Sequence, residues 1–199
     1  MWFMRNPIYA FLLRILLWLP VCFVVWYFAS VVLIVPLRFL SSIVFSLTIP
    51  DVVTAVEQGG SLLTFVTGLV PPGAATEGKA VLLIEVNPLI YSFGLPLFVA
   101  LQLATLGERF ALKVLIGYLV LLPFQAWSVC FDVLKQIAIT SAPDIAAQAG
   151  AQNWPREAIV WGYQFGTLIL PTIVPFVLWL GLNRDAVEKM IFAHPRKNG

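Results

Sequence analysis

The sequence predicts an all-α membrane protein: a four-helix transmembrane bundle with an interfacial helix and a small β-hairpin in its first outer segment. Three observations lead there. Of the 199 residues, 60% are apolar and only 11% charged, with a mean hydropathy of +0.93. A soluble domain carries roughly a quarter charged residues and needs them to coat its surface. Next, four stretches lack Asp, Glu, Lys and Arg: residues 15–37, 86–107, 114–131 and 158–183. Each reaches or approaches the ~20 apolar residues that cross about 30 Å of hydrocarbon. Finally, the cations sort by side. Arg5, Arg14, Arg109, Lys113, Arg184, Lys189, Arg196 and Lys197 fall on one side, and only Arg38, Lys79, Lys135 and Arg156 on the other. Lys and Arg in short flanks resist translocation, so both termini are expected to be cytoplasmic.

The first span, 15–37, follows Arg5 and Arg14 as a secretory signal would, but its 23 residues are too many for one. Val21 is also not the small residue that a lipoprotein cleavage box wants before Cys22. An uncleaved helix is expected. An outer segment, 38–88, comes next. Its apolar residues Phe39, Leu40, Ile43, Val44 and Leu47 are spaced by 3 to 4, predicting a helix along the membrane surface that ends at Pro50. Asp51 then reads as the N-cap of a short turn through Glu57, closed by Gly59-Gly60. The β-prone runs Leu62 to Val70 and Lys79 to Val86, separated by Pro71-Pro72-Gly73, predict a hairpin. Two strands are marginal alone, so this hairpin should rest on the bilayer or on a partner.

Spans follow at 89–106 and 114–131, then an outer segment, 132–157, whose Ala-rich stretch from Ile145 to Gln152 predicts one short helix. The last span, 158–182, has Trp161 and Trp179 about 27 Å apart along a helix, matching two interfacial aromatic belts. The tail, 183–199, predicts a short amphipathic helix from Arg184, broken by Pro195. All of this reads as a single membrane domain.

Several function classes lose support. A net charge of +2 without a basic stripe argues against nucleic-acid binding. Cys22 and Cys130 lie in separate spans and make no disulfide framework. The one histidine, His194, sits in the tail, remote from both cysteines, so neither a Cys/His nucleophile nor a metal-ligand set can be assembled. No cofactor, metal or catalytic residue is expected.

Polar residues and prolines concentrate in the later spans. Pro96, Pro123, Pro171 and Pro175 each remove a helical hydrogen bond, and in lipid the freed carbonyl needs another donor. Gln102, Gln125, Gln136 and Gln164 are candidates, either bonding helices together or lining a polar path. Gly162 and Gly166 in Gly162-Tyr163-Gln164-Phe165-Gly166 have the spacing of a close helix contact, with a neighbour that the sequence leaves open. Asp132 and Lys135, at i and i+3, can pair on one helix face. Glu85, beside Asn87-Pro88, reads as facing water at a strand end.

Three stretches carry a resemblance: Asn87-Pro88-Leu89-Ile90-Tyr91-Ser92-Phe93-Gly94-Leu95-Pro96, Leu122 to Trp127 with Phe131 to Gln136, and Gly162 to Pro171. With them the chain resembles, over most of its length, the small membrane protein that accompanies exosortase H in Gram-negative bacteria. Exosortases are multi-pass transpeptidase-like enzymes that act on C-terminal sorting tails of exported proteins through Cys, Arg and His. This chain has no membrane-facing His, so the resemblance implies a non-enzymatic accessory protein of the inner membrane, partnered by an exosortase or a sorting substrate. The residues expected to face such a partner, or to form the polar intramembrane surface, are Asn87, Tyr91, Gln102, Gln125, Asp132, Lys135, Gly162, Gln164 and Gly166. A small transporter or channel subunit is the alternative, resting on the broken helices and the glutamines. An intramembrane enzyme using Asp132 with Glu85 or Lys135 is a third.

Overall fold

A computed structural model describes residues 7–71 and 81–192. The expected break at Pro195, the single His194 and the first residues of the expected second strand, Lys79 and Ala80, lie outside these.

The first element, α1, is one helix over Pro7–Thr48, 42 residues long. The expected span and the expected interfacial helix are therefore one element. Arg38 does not end it, because a long cationic side chain can lie along an apolar helix, and the guanidinium stacks 4.6 Å from the Phe39 ring centre. The 3-to-4 spacing of Phe39 to Leu47 simply continues the helix. At 1.5 Å per residue α1 is about 63 Å long, roughly twice the hydrocarbon thickness.

Beyond it lies a three-stranded antiparallel sheet, β1 (Val53–Gly59), β2 (Leu62–Thr67) and β3 (Leu83–Val86), in that spatial order. The expected hairpin is present as β2 and β3, but the expected helical turn through Glu57 is a strand. Val52, Val53, Thr54 and Val56 are β-branched, which favours a pleated backbone. Gly59-Gly60 serves a hairpin rather than a helix cap. Gly59 pairs with Leu62 across the two-residue loop Gly60–Ser61, and Gly60 has φ 63 at its first central position.

Nor does this sheet need a partner to cover its apolar face. Val56, Phe65 and Ile84 form one cross-strand row, and Leu63 pairs with Val86. Phe65 and Leu63 are fully buried, and Phe45 of α1 meets the Phe65 ring edge-on at 5.4 Å. On the same helix the Val31 carbonyl accepts a 2.7 Å hydrogen bond from Gln58 Nε2. This clamp sits one residue before Val32, whose carbonyl loses its helical donor to Pro36.

Among the described residues three helical stretches are long and apolar enough to cross a membrane, Ile8–Thr48, Phe110–Thr140 and Arg156–Leu182, where the sequence predicts four. The expected second span is the shorter apolar stretch Leu89–Thr105, made of α2 (Leu89–Ser92) and α3 (Gly94–Thr105). Because the helix restarts at Gly94, Pro96 falls in a first turn, where its missing N–H has no helical partner to lose. Then α4 (Phe110–Lys135) continues into a π-helical turn, Gln136–Thr140. After it come α5 (Pro143–Gln148), a 3-10 turn at Ala151–Asn153, α6 (Arg156–Gln164), a second π-helical turn at Phe165–Ile169, α7 (Leu170–Leu182) and α8 (Arg184–Phe192). The short helices expected from the Ala-rich stretch and from Arg184 are α5 and α8.

The described residues divide into two compact units, residues 29–71 and 81–92 with 122–171, and residues 7–28 with 93–121 and 172–192. One holds the sheet and a continuous apolar core that includes Leu37, Phe45, Phe65, Val133 and Ile137. In the other, Phe98 of α3 is fully buried, and a Cβ on Gly117 of α4 would come within 2.0 Å of its ring. Phe65→Ala should lower stability by about 3 to 5 kcal/mol through the cavity it leaves. Thermal unfolding in detergent would read this as a fall in melting temperature.

Candidate functional site

In the sheet-bearing unit, α4 has two unlike faces. Ser128, Asp132 and Lys135 recur at helical spacing on one of them. Lys135 Nζ lies 3.1 Å from Asp132 Oδ1 and 3.6 Å above the centre of the Tyr163 ring of α6. The Tyr91 side chain of α2 lies close enough to the Asp132 carboxylate and to Tyr163 to interact electrostatically with both. Tyr91 is 3% exposed and Asp132 8%. Placing Tyr91 there is the work of Asn87, whose Oδ1 accepts the Leu89 N–H at 3.1 Å, with Pro88 immediately before the first residue of α2. Gln136 Nε2 ties the π turn to the Glu85 carbonyl at 3.4 Å, while the Glu85 residue is exposed on β3. A buried charge is tolerated only when paired and hydrogen-bonded, and this network meets that condition among its own members.

A second set of contacts explains the two glycines. The neighbour at this contact face is α4 of the same chain: a Cβ on Gly162 would reach 2.2 Å from the Phe131 ring, and one on Gly166 would reach 2.8 Å from Ser128 Oγ. The close approach serves a specific need. Leu170 N donates to Phe165 O, five residues back, as a π turn requires. In that register the next bond would run from residue 171 to Gly166 O, but Pro171 has no N–H. Ser128 Oγ donates to that carbonyl at 2.9 Å, sharing its proton with Phe124 O, also at 2.9 Å. Trp127 Nε1 similarly donates to Gly162 O at 3.2 Å. The donor at this proline is thus a serine, where the sequence suggested a glutamine. A short hydroxyl reaches a carbonyl across a backbone contact too close for the longer amide.

Among the expected residues, Asn87, Tyr91, Asp132 and Lys135 come together, and Gly162 and Gly166 lie on the adjoining contact. Gln125 is buried at 5% exposure, whereas Gln164 is exposed. Tyr163 was missed. It lies inside the motif read for its glycines, and an aromatic ring able to face a half-buried lysine was the available signal.

Gln102 belongs to the other compact unit. Its Oε1 accepts from Asn183 Nδ2 at 3.2 Å, and Asn183 Oδ1 accepts from Lys113 Nζ at 2.7 Å. The cation fixes the amide's orientation, since only the oxygen of Asn183 can face it. Gln102 Nε2 has no partner among the described residues. Trp179, expected in an interfacial belt, is 4% exposed within the protein and donates to Thr105 Oγ1 at 2.8 Å.

The other face of α4 is apolar. With the last turns of α1 it forms a groove of about 480 Å³, lined by Leu40, Val44, Trp127, Phe131 and Leu134 and by Trp154. Cys130 also faces it, with no histidine or carboxylate in the lining. Among the described residues no three His, Cys, Asp or Glu side chains converge as a metal site would need. What the arrangement can do chemically is hold helices in register and offer an apolar surface.

A family model described as exosortase H-associated membrane protein matches residues 5–186. No curated protein and no solved structure matches.

Ser128→Ala should cost about 1 kcal/mol of stability in the natural background, in the range measured for buried hydrogen bonds within membranes. With Pro171→Ala supplying a backbone N–H to Gly166 O, the same change should cost close to nothing. A double-mutant cycle read by unfolding in mixed micelles would measure the difference.

Proposed function

Since the chain belongs to the exosortase H-associated membrane proteins, we propose that it is a non-enzymatic accessory protein of an exosortase-type sorting system, binding a membrane partner in the bacterial inner membrane. The partner is an exosortase or one of its sorting substrates. One observation carries this reading: the buried Asp132 carboxylate and the polar groups around it are spent on one another. Asp132, Lys135, Tyr91 and Tyr163 hold α2, α4 and α6 together, which suits a scaffold better than a reaction centre. The groove beside them offers a partner apolar surface rather than chemistry.

The orientation follows from the cations. With both termini cytoplasmic, Leu89–Thr105 is the fourth crossing, and its 17 residues span about 25 Å. Local thinning of the bilayer accommodates the shortfall from about 30 Å. In the unit that contains them, Thr105 meets Trp179, and Lys113 meets Asn183. The neighbouring ends of α3, α4 and α7 support this topology, in which they share one side.

Affinity-tagged protein, extracted in mild detergent from cells that also make the exosortase and its substrates, should bring down one of them. Recovery of neither would overturn the proposal. For the topology, Ser61→Cys, Glu108→Cys and Asp185→Cys can be introduced singly in a background with Cys22 and Cys130 replaced by alanine. An impermeant maleimide applied to intact spheroplasts should label the first and spare the other two. Labelling of Asp185→Cys under those conditions would put the C-terminus outside.

A further inference from the structure

One face of the sheet is committed to the core and, among the described residues, the other is open. The rows holding Val56, Phe65 and Ile84 and holding Leu63 and Val86 turn inward, so the pleat turns Ala55, Glu57, Thr64, Leu83 and Glu85 outward. Leu83 is 55% exposed. Glu57 stands opposite Thr64, and Thr64 opposite Glu85. Two strand spacings, about 10 Å, therefore separate the two carboxylates in a single row. Neither forms an ion pair with a described residue, and no Lys or Arg occurs among the described residues from 49 to 92.

The edge next to Glu57 is open as well. β1 is an outer strand and, at seven residues, the longest of the three. A two-residue loop makes Gly59 and Leu62 a hydrogen-bonded pair, and alternation then bonds Glu57 to Thr64. Val56 and Gln58 are left presenting their N–H and C=O groups away from β2. No described residue supplies a backbone partner for them. Such an edge is a template for another strand, and a charge on it decides which strands are admitted. Glu57 repels a carboxylate placed beside it and attracts a cation.

We propose that the β1 edge docks an extended segment of a partner protein that carries Lys or Arg, with the cation beside Glu57 in the row shared by Thr64 and Glu85. That such a partner exists rests on the function proposed above. The chemistry of the edge does not.

Hydrogen exchange on the full-length protein in nanodiscs of neutral lipid tests it. The two probes are alternating peptides of about eight residues, one Val-Lys and one Val-Glu. The Val-Lys peptide should slow exchange of the Val56 and Gln58 amides about tenfold or more, and the Val-Glu peptide should leave them unchanged. Glu57→Lys should reverse that preference and Glu57→Gln should weaken it, neither disturbing the fold, because Glu57 is exposed. Absence of slowing with the Val-Lys peptide, or equal slowing with both peptides, would overturn the proposal. No exosortase takes part in the measurement, so its failure would count against the edge alone, and a failed co-purification against the wider function alone.

Discussion

The sheet-bearing unit depends on α4 meeting α6 and its π turn at backbone distance. Gly162 and Gly166 permit this, because any Cβ there would collide with Phe131 or Ser128. Once the backbones are that close, Ser128 reaches the carbonyl that Pro171 leaves unbonded, and Trp127 reaches the carbonyl of Gly162. Lys135 comes to lie on the Tyr163 ring, which helps keep its charge beside Asp132. Groups buried in the protein must find their partners there, so one close contact resolves a backbone defect and a buried charge together. It also frees the opposite face of α4 from polar duties, and that face is where the apolar groove lies.

Much of the architecture was legible because it follows from composition and charge spacing. Long apolar stretches, the short helices in the Ala-rich part of the second outer segment and at Arg184, and the second and third strands all appear. Misreadings arose where a local signal competed with a longer-range one. Arg38 looked like the end of a span because charge usually ends one, yet stacking on Phe39 lets the helix continue. Gly59-Gly60 looked like a helix cap, because a glycine pair serves a cap and a hairpin equally, and pairing with β2 decided between them. The expected span 89–106 was read with a break at Pro96, but the break falls earlier, because Pro96 is accommodated most easily by restarting the helix at Gly94.

The polar residues divide in the same way. Asp132 and Lys135 could be paired from spacing alone, since i and i+3 are neighbours on a helix. Tyr91 and Tyr163 could not be added to them, because their meeting depends on how α2 and α6 pack on α4. The serine at position 128 was unreadable for a related reason. Its role exists only because Phe165–Ile169 is wound as a π turn, which moves the carbonyl orphaned by Pro171 back by one residue. A proline announces a missing bond, but the winding of the preceding turn determines which carbonyl is left bare.

The sheet is fastened to α1 at two heights, through Val31 and through Phe45. These positions are about four helical turns apart and therefore lie on nearly the same side of the helix. Removing or adding a single residue between them would swing one fastening about 100° away from the other. This stretch of the chain is consequently free to vary in composition but held to a constant length, a constraint that insertions and deletions among relatives would have to respect.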